Sequence, residues 1–427
     1  MVSPGLPDSA KNEMKILVIS PSPPLSIGPA IHLEYVTRAL VREHQVDVIC
    51  GDFDTILGSM LNSSEVRKKV EAEPDHRGIR NLWVVPFSRR TAWLRLGLGW
   101  LRGTPMRMAF CNSPEFAREF RRRLREREYD LVWTHFGRME PFVRELNMPV
   151  IVDLHDSMSL RHETLGRAER NPAKRFIHRL ESRREARHEC ELIARGYHLI
   201  VNSTADAKHL EHAGAEPSRV TVLPNVVDWQ ELENSPVDLS LKSTILFFGQ
   251  MGYFPNQDAV RFFHDQILPK IVAENPSTTF CVVGAHPPKW MRDFERDPRI
   301  RVTGFVPNLG AYIKQASVVI APLRCGSGVC LKVVQALALG RPVVATSHGA
   351  RGLDVEHGKQ LLIADEPQDF ARQVNALLRD AAMRTRLGNA GRSLARSRYS
   401  LDAIFLGVQD LVTRVVPANR SSVPIHS

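Results

Sequence analysis

Cysteine is scarce in this sequence. Six of the 427 residues are cysteines (Cys50, Cys111, Cys190, Cys281, Cys325 and Cys330), scattered with no C-x-x-C pair and no histidine at zinc spacing. A disulfide framework and a zinc ribbon are thereby excluded, and reduced, mostly buried thiols are expected. Long apolar runs are missing too: none approaches the roughly 18 to 20 residues that cross a bilayer. The opening MVSPGLPDSAKNEMK has no apolar signal core behind its charges, so a cytosolic protein is expected. No nucleic-acid motif is present either.

What is present is globular. With 43% hydrophobic and 24% charged residues, disorder and coiled coil are poor descriptions. The length exceeds one hydrophobic core and suits two domains of ordinary size. Net charge is +10, and much of the excess falls between residues 77 and 195, in stretches such as FRRRLRERE and HRLESRREARHE. Such a surface suits nucleic acid, an anionic membrane face or a phosphorylated substrate. Glu and Arg also alternate there at helical spacing, which equally describes solvated helix faces.

Along the chain, short apolar runs alternate with helical patterns. KILVIS (15–20) reads as a buried parallel strand, followed by a Pro/Gly loop, the helical IHLEYVTRALVRE and a second strand in VDVICGD. That is a βαβ unit. Further strands are expected at NLWVVPF, DLVWTH, PVIVDLHD, YHLIVNS and RVTVLPN, completing a lobe over 1–227. Residues 228–243 turn polar and lose periodicity, as a linker does. Alternation restarts over 244–400, with strands at TILFFGQ, TTFCVVG, IRVTGFV and VVIAPL. The segment 401–427 is expected to pack back on the first lobe, with a frayed end. The fold class is therefore α/β, two facing doubly wound parallel-sheet (Rossmann-like) lobes with a cleft at the carboxyl ends of their strands.

The most informative stretch is CGSGVCLKVVQALALGRPVVAT (325–346). The strand VVIAPL delivers the chain to a turn in which Gly326 and Gly328 let backbone approach a ligand closely and present N–H groups. A helix follows as far as Gly340, a natural C-cap with Pro342 beyond. Its N-terminus aims free amides and the positive dipole end at the cleft, where an anion such as phosphate fits. An ordinary strand-turn-helix, with glycines for tight packing, reads the same way.

Taken together, FFGQMGYFPNQDAVRFF, FCVVG and VTGFVPNLGAYIKQASVVIAPLRCGSGVCLKVVQALALGRPVVATSHGARGL resemble the donor-binding lobe of GT-B glycosyltransferases. More narrowly, they resemble the large retaining group 1 family that uses nucleotide sugars. The resemblance covers about residues 244–400 well and the first half more loosely, through KILVISPSPP, DLHD and VLPNVVD.

The resemblance implies site residues. The family's two glutamates, separated by seven intervening residues, fall at Ser327 and Gln335; neither is glutamate here. Gln335 retains an amide for a ribose diol, and Gly326, Ser327, Gly328 and Val329 become the sugar or phosphate cradle. Lys332, three residues before Gln335 on the same helix face, either neutralises the donor diphosphate or is a solvated lysine. The family's basic pair after the first strand of this lobe is replaced by Gln250 and Asn256, so Lys332 or an arginine from the other lobe must compensate. Val306, in GFVPN, falls where backbone holds the base, and equally where an apolar residue ends a strand.

In the first lobe, Gly28 matches the family's glycine turn, and Pro29, which lacks an N–H, replaces a second glycine. His155 in VDLHD sits where a histidine reaches the donor sugar, though a lone histidine is often structural. Asp156 orients His155 or accepts from an acceptor hydroxyl; Asp153 reads as a structural hydrogen-bonding residue. The implied chemistry is front-face glycosyl transfer with retention, the departing diphosphate taking the acceptor's proton, with the leaving phosphates stabilised by amides and a cation. No metal and no cofactor is expected, since Asp52 and Asp54 of GDFDT read as a loop turn remote from the donor lobe.

For the acceptor, TAWLRLGLGWLRGTPMRM (91–108) mixes Trp, Leu and Arg as a membrane-interface segment does, pointing to a lipid-linked or glycan acceptor in polysaccharide biosynthesis and to peripheral attachment. An amphipathic segment lining the cleft or packed in the core fits as well. Two rival classes stay open. The departures at Ser327, Gln335, Gln250 and Asn256 suit a non-catalytic nucleotide-sugar-binding protein on the same fold, and charge alone suits a nucleic-acid-binding protein.

Overall fold

The structure, a computed structural model, describes residues 13–24, 30–52, 78–169, 171–227, 244–326 and 328–416. Gly28, Pro29, Asp54, Ser327, the linker 228–243 and the end of the tail lie outside the described residues.

The first lobe runs β1 (Lys15–Ser20), α1 (Ala30–Leu40), β2 (Gln45–Gly51), β3 (Asn81–Val85), α2 (Arg89–Leu101), α3 (Met106–Cys111), α4 (Pro114–Glu126) and β4 (Leu131–His135). It continues through β5 (Val150–His155), α5 (Met158–Ala168), α6 (Pro172–Ala194), β6 (His198–Val201), α7 (Thr204–His212) and β7 (Val220–Val222). The second lobe runs β8 (Thr244–Phe248), α8 (Phe254–Phe262), α9 (Leu268–Glu274), β9 (Thr279–Val283), α10 (Lys289–Arg292), β10 (Ile300–Val302), α11 (Leu309–Gln315) and β11 (Val318–Ala321). It ends with α12 (Leu331–Ala338), β12 (Val343–Ala345), β13 (Leu362–Ile363), α13 (Pro367–Arg379) and α14 (Ala381–Arg398), before α15 (Leu401–Val415).

Each lobe is a single parallel sheet. The strand orders are β3-β2-β1-β4-β5-β6-β7 and β10-β9-β8-β11-β12-β13. Parallel sheets are covered on both faces, which is why their strands are nearly all apolar. In β1, Leu17 and Ile19 face one core layer while Ile16 and Val18 face the other. In β8, Ile245 and Phe247 face one layer and Leu246 and Phe248 the opposite one. The order reverses between β1 and β4 and between β8 and β11, and crevices open beyond the carboxyl ends of strands at such points.

α15 lies on the first lobe. Ile404, Val408, Leu411 and Val412, at helical spacing, join Leu33, Val36 and Leu40 of α1 in one buried layer. Side chains of this size contribute roughly 1.5 to 3 kcal/mol each when fully buried. Gln409 adds polar ties, its Oε1 accepting from His44 Nε2 (3.1 Å) and its Nε2 donating to Ala39 O (3.1 Å). Where the chain leaves the first lobe and where it returns, Val227 N donates to Tyr399 O at 3.0 Å.

The structure revises several boundaries. β11 stops at Ala321, two residues short of Leu323, and α12 begins only at Leu331, so 322–330 form a longer loop. The helix that follows β8 starts at Phe254 and passes through a π-turn at Phe263–Ile267, because Pro269 cannot donate to the preceding turn. The two-residue edge strand β13 is too short to leave a sequence pattern. Of the cysteines, Cys190 is exposed and Cys330 half-buried, the other four buried, and none is paired.

Candidate active site

β5 supplies the first half of the site. Asp153, fully buried near its carboxyl end, receives His135 Nδ1 at 3.0 Å and stands 3.3 Å from His32 Nε2, while its Oδ1 accepts the backbone N–H of His155 at 3.0 Å. Burial opposes its ionisation, but the two imidazoles outweigh that and hold the carboxyl far below the usual range. Burial pushes His135 down to about 4, so it is a neutral ring. The His32 and His135 rings stack at 5.9 Å, and His155 meets His32 edge-on at 5.2 Å. Asp153 is thus the structural anchor that its strand position implied.

His155 itself sits in left-handed backbone at φ 65°, and Phe136, just past the end of β4, does the same at φ 68°. For a residue with a Cβ this conformation costs about 1 to 2 kcal/mol, and such strain concentrates at functional sites. The β5–β6 register also slips between Asp153 and His155. The result turns the His155 ring toward Asp156, with Nδ1 3.3 Å from Oδ1. Burial lowers the imidazole pKa, but the Asp156 carboxylate, aided by Asp153, raises it on balance. Asp156 Oδ1 also accepts from Asn202 Nδ2 at 2.7 Å, and Oδ2 lies 3.8 Å from Arg161 of α5.

The second half is the turn between β11 and α12. Gly326 and Gly328 adopt φ 119° and 72°, values that only glycine takes without strain. Thr164 Oγ1 of α5 donates to Gly326 O at 3.0 Å, across the cleft. A Cβ on Gly328 would overlap the Asp156 carboxylate and come within 3.0 Å of Asn202 Nδ2. Cys330, at the N-cap of α12, makes no side-chain cap bond, so no side chain from that position occupies the first-turn amides.

Lys332 Nζ donates to Asn256 Oδ1 at 3.1 Å, over the Phe247 ring, and Asn256 Nδ2 donates to Gln250 O at 2.8 Å. The structure therefore gathers Gln250, Asn256 and Lys332 into one group, with the Gln250 side chain exposed and Gln335 half-buried one turn further along α12. Val329 is buried in the lobe core and Val306 packs at its edge, leaving only their backbones for a ligand. Asp52 is buried immediately after the end of β2.

Sequence reasoning missed His32, His135, Asn202, Arg161 and Thr164. One signal was available: DLVWTH and VIVDLH place a histidine at the carboxyl ends of two strands that prove adjacent, with His135 opposite Asp153 in register.

Two parallel α/β lobes whose carboxyl edges meet over a glycine turn define the GT-B class of fold. Comparison with known proteins agrees. The family described as "Glycosyl transferases group 1" matches residues 242–380, and "Glycosyltransferase Family 4" matches residues 27–231. Each lobe thus matches a glycosyltransferase family model, group 1 over the second lobe and family 4 over the first. Among solved structures, HepE of Anabaena in complex with UDP superposes with a TM-score of 0.64 at 17% identity, covering 94% of this chain and 100% of that one. Sucrose-phosphate synthase of Thermosynechococcus elongatus gives 0.67 at 16%, covering 95% and 100%. WaaG, a glycosyltransferase involved in lipopolysaccharide biosynthesis, gives 0.59 at 13%, covering 94% and 100%. A search of curated protein sequences finds no match.

Proposed function

We propose that the protein transfers a hexose-type sugar from a nucleoside diphosphate sugar to an acceptor hydroxyl, with retention and without a metal. The observation that carries this reading is the approach of Asp156 to Gly328, which brings the polar end of β5 in one lobe against the glycine turn of the other. HepE has been solved with UDP-glucose, and a donor of that kind suits the turn.

In this reading the amides of Gly326, Ser327, Gly328 and Val329, with the N-terminus of α12, receive the diphosphate. Lys332 and Arg161 supply the cations that the family's usual pair would, and Gln335 takes the ribose. His155 hydrogen-bonds the sugar, held in orientation by Asp156. The acceptor oxygen forms its bond to the anomeric carbon as the carbon–phosphate oxygen bond breaks, and its proton passes to the departing diphosphate. Stabilising that leaving group is the main contribution of the protein.

The acceptor is a glycan or lipid-linked glycan, reached from an anionic membrane face. α2 supports this: Trp93, Leu94, Leu98 and Leu101 are exposed on it, beside the exposed cations Arg90 and Arg102. No helix among the described residues is long and apolar enough to cross a membrane.

The test is the thermal unfolding midpoint with UDP, GDP, ADP, CMP or a short RNA, followed by turnover of the matching sugar donor. One nucleoside diphosphate is expected to raise the midpoint by a few degrees, because ligand at about 100 times its dissociation constant adds about 2.7 kcal/mol. A response to RNA alone overturns the reading. Binding without turnover selects the non-catalytic alternative that Gln335, Gln250 and Asn256 motivate.

A further inference from the structure

Behind the cleft, α5 and α6 form a tight helical hairpin. Gly166 permits the close approach, since a Cβ there would stand 3.1 Å from His178 Cβ. Inside the hairpin, His162 of α5 and Glu181 and Glu185 of α6 each present a ligand atom, all within 4.8 Å of one another. Glu181 and Glu185 lie one helical turn apart on the same face, as two carboxylates that share one ligand must.

The three residues are prepared to different degrees. Glu181 is held in place, with Met106 N donating to Oε2 at 2.8 Å and Arg184 donating to Oε1 at 3.0 Å. Each of its oxygens keeps a further lone pair. The His162 ring is oriented by a 3.0 Å contact between its Nδ1 and His178 Nδ1. Glu185 is the anomaly: only 7% exposed, it has no hydrogen-bond or ion-pair partner among the described residues. A buried carboxyl without a hydrogen-bond partner is costly, and here only the more distant Arg107 and Arg138 cations offset its charge.

We propose that His162, Glu181 and Glu185 form a binding site for one divalent transition-metal ion of the zinc or manganese type. One imidazole nitrogen with two carboxylate oxygens suits such ions better than calcium, which takes six to eight oxygens. The ion would pin α5 to α6. Because α5 carries Thr164, bonded to Gly326, and Arg161, beside Asp156, the ion acts as a strut that positions the donor turn without touching substrate. The site does not depend on the donor or acceptor chemistry. Arg107 of α3, Arg138 before β5 and Arg184 of α6 face these carboxylates and limit the affinity, so a micromolar site is expected.

The experiment is calorimetric titration of chelator-stripped, full-length protein with ZnCl2, MnCl2 and CaCl2. We expect one equivalent of zinc or manganese, weak calcium binding, and a thermal midpoint raised by a few degrees. Glu185→Gln and His162→Gln should each weaken binding at least tenfold. Glu185→Gln is nearly isosteric, so its metal-free midpoint should stay close to the parent's and exclude misfolding as the cause. No stoichiometric binding, or binding that both variants retain, overturns the proposal.

Discussion

Gly328, in the turn between β11 and α12, stands so close to Asp156 of the opposite lobe that any side chain at 328 would collide with the carboxylate. Closure of the two lobes is written into that contact. Gly328→Ala is expected to cut kcat/KM at least a hundredfold, while the left-handed φ of 72° adds about 1 kcal/mol of destabilisation. Steady-state kinetics beside urea unfolding separates the two effects. A variant with parental kcat/KM would mean that the lobes do not meet here during turnover.

Lys332, bonded to Asn256 at 3.1 Å, should discriminate between diphosphate and monophosphate. Hydrogen bonds to charged groups are worth about 1.5 to 3 kcal/mol. Lys332→Ala is therefore expected to weaken nucleoside diphosphate binding by about 10- to 150-fold, and monophosphate binding much less, as read by calorimetry. Equal losses for both ligands would place the lysine away from the phosphates.

Asp206, fully buried at the start of α7, is pushed up to about 6 by burial and by Asp156. Its folded pKa lies above the ordinary carboxyl value, so between about 4 and 6 the folded state holds a proton that the unfolded chain has lost. Stability falls as pH rises through that window. Asp206→Asn should remove this slope, gaining relative stability from pH 4 to pH 6 and holding it above. Urea midpoints at pH 4, 6 and 8 measure it; a constant difference across all three would contradict the charge argument.

Leu94, Leu98 and Leu101 line one exposed face of α2, at 68, 56 and 77% accessibility. Leu94→Ser with Leu98→Ser is expected to lower binding to anionic phospholipid vesicles at least tenfold, with the unfolding midpoint unchanged, since a fully buried leucine is worth roughly 1.5 to 3 kcal/mol. Vesicle sedimentation at low and high salt reads both apolar and electrostatic parts. Unaltered binding would move the membrane face elsewhere.

The alternating fold was legible because parallel strands announce themselves as apolar runs, and residues such as Ile16 to Ile19 have no solvent face to disguise them. Much of the site was legible as well, since Gly326, Gly328 and the end of β5 fall at strand termini, where α/β proteins hold ligands. The partners were not. His32 reaches Asp153 from a helix 121 residues earlier in the chain, and Thr164 reaches Gly326 across 162 residues. No local period encodes such meetings. The segment 91–108 divided in a way that periodicity could not foresee: α2 keeps Trp93, Leu94, Leu98 and Leu101 at the surface, whereas Met108 to Cys111 of α3 are buried. Amphipathicity reports that a face is apolar and is silent about what covers it.

The return of α15 to the first lobe orders events on the ribosome. The layer built by Leu33, Val36 and Leu40 waits for Ile404, Val408 and Leu411, which emerge tens of seconds later at roughly 5 to 20 residues per second. During that interval the nascent first lobe carries an uncovered apolar helix, while the second lobe can complete its own sheet. The protein therefore finishes last the half that it began first, and chaperone demand should peak in the middle of synthesis.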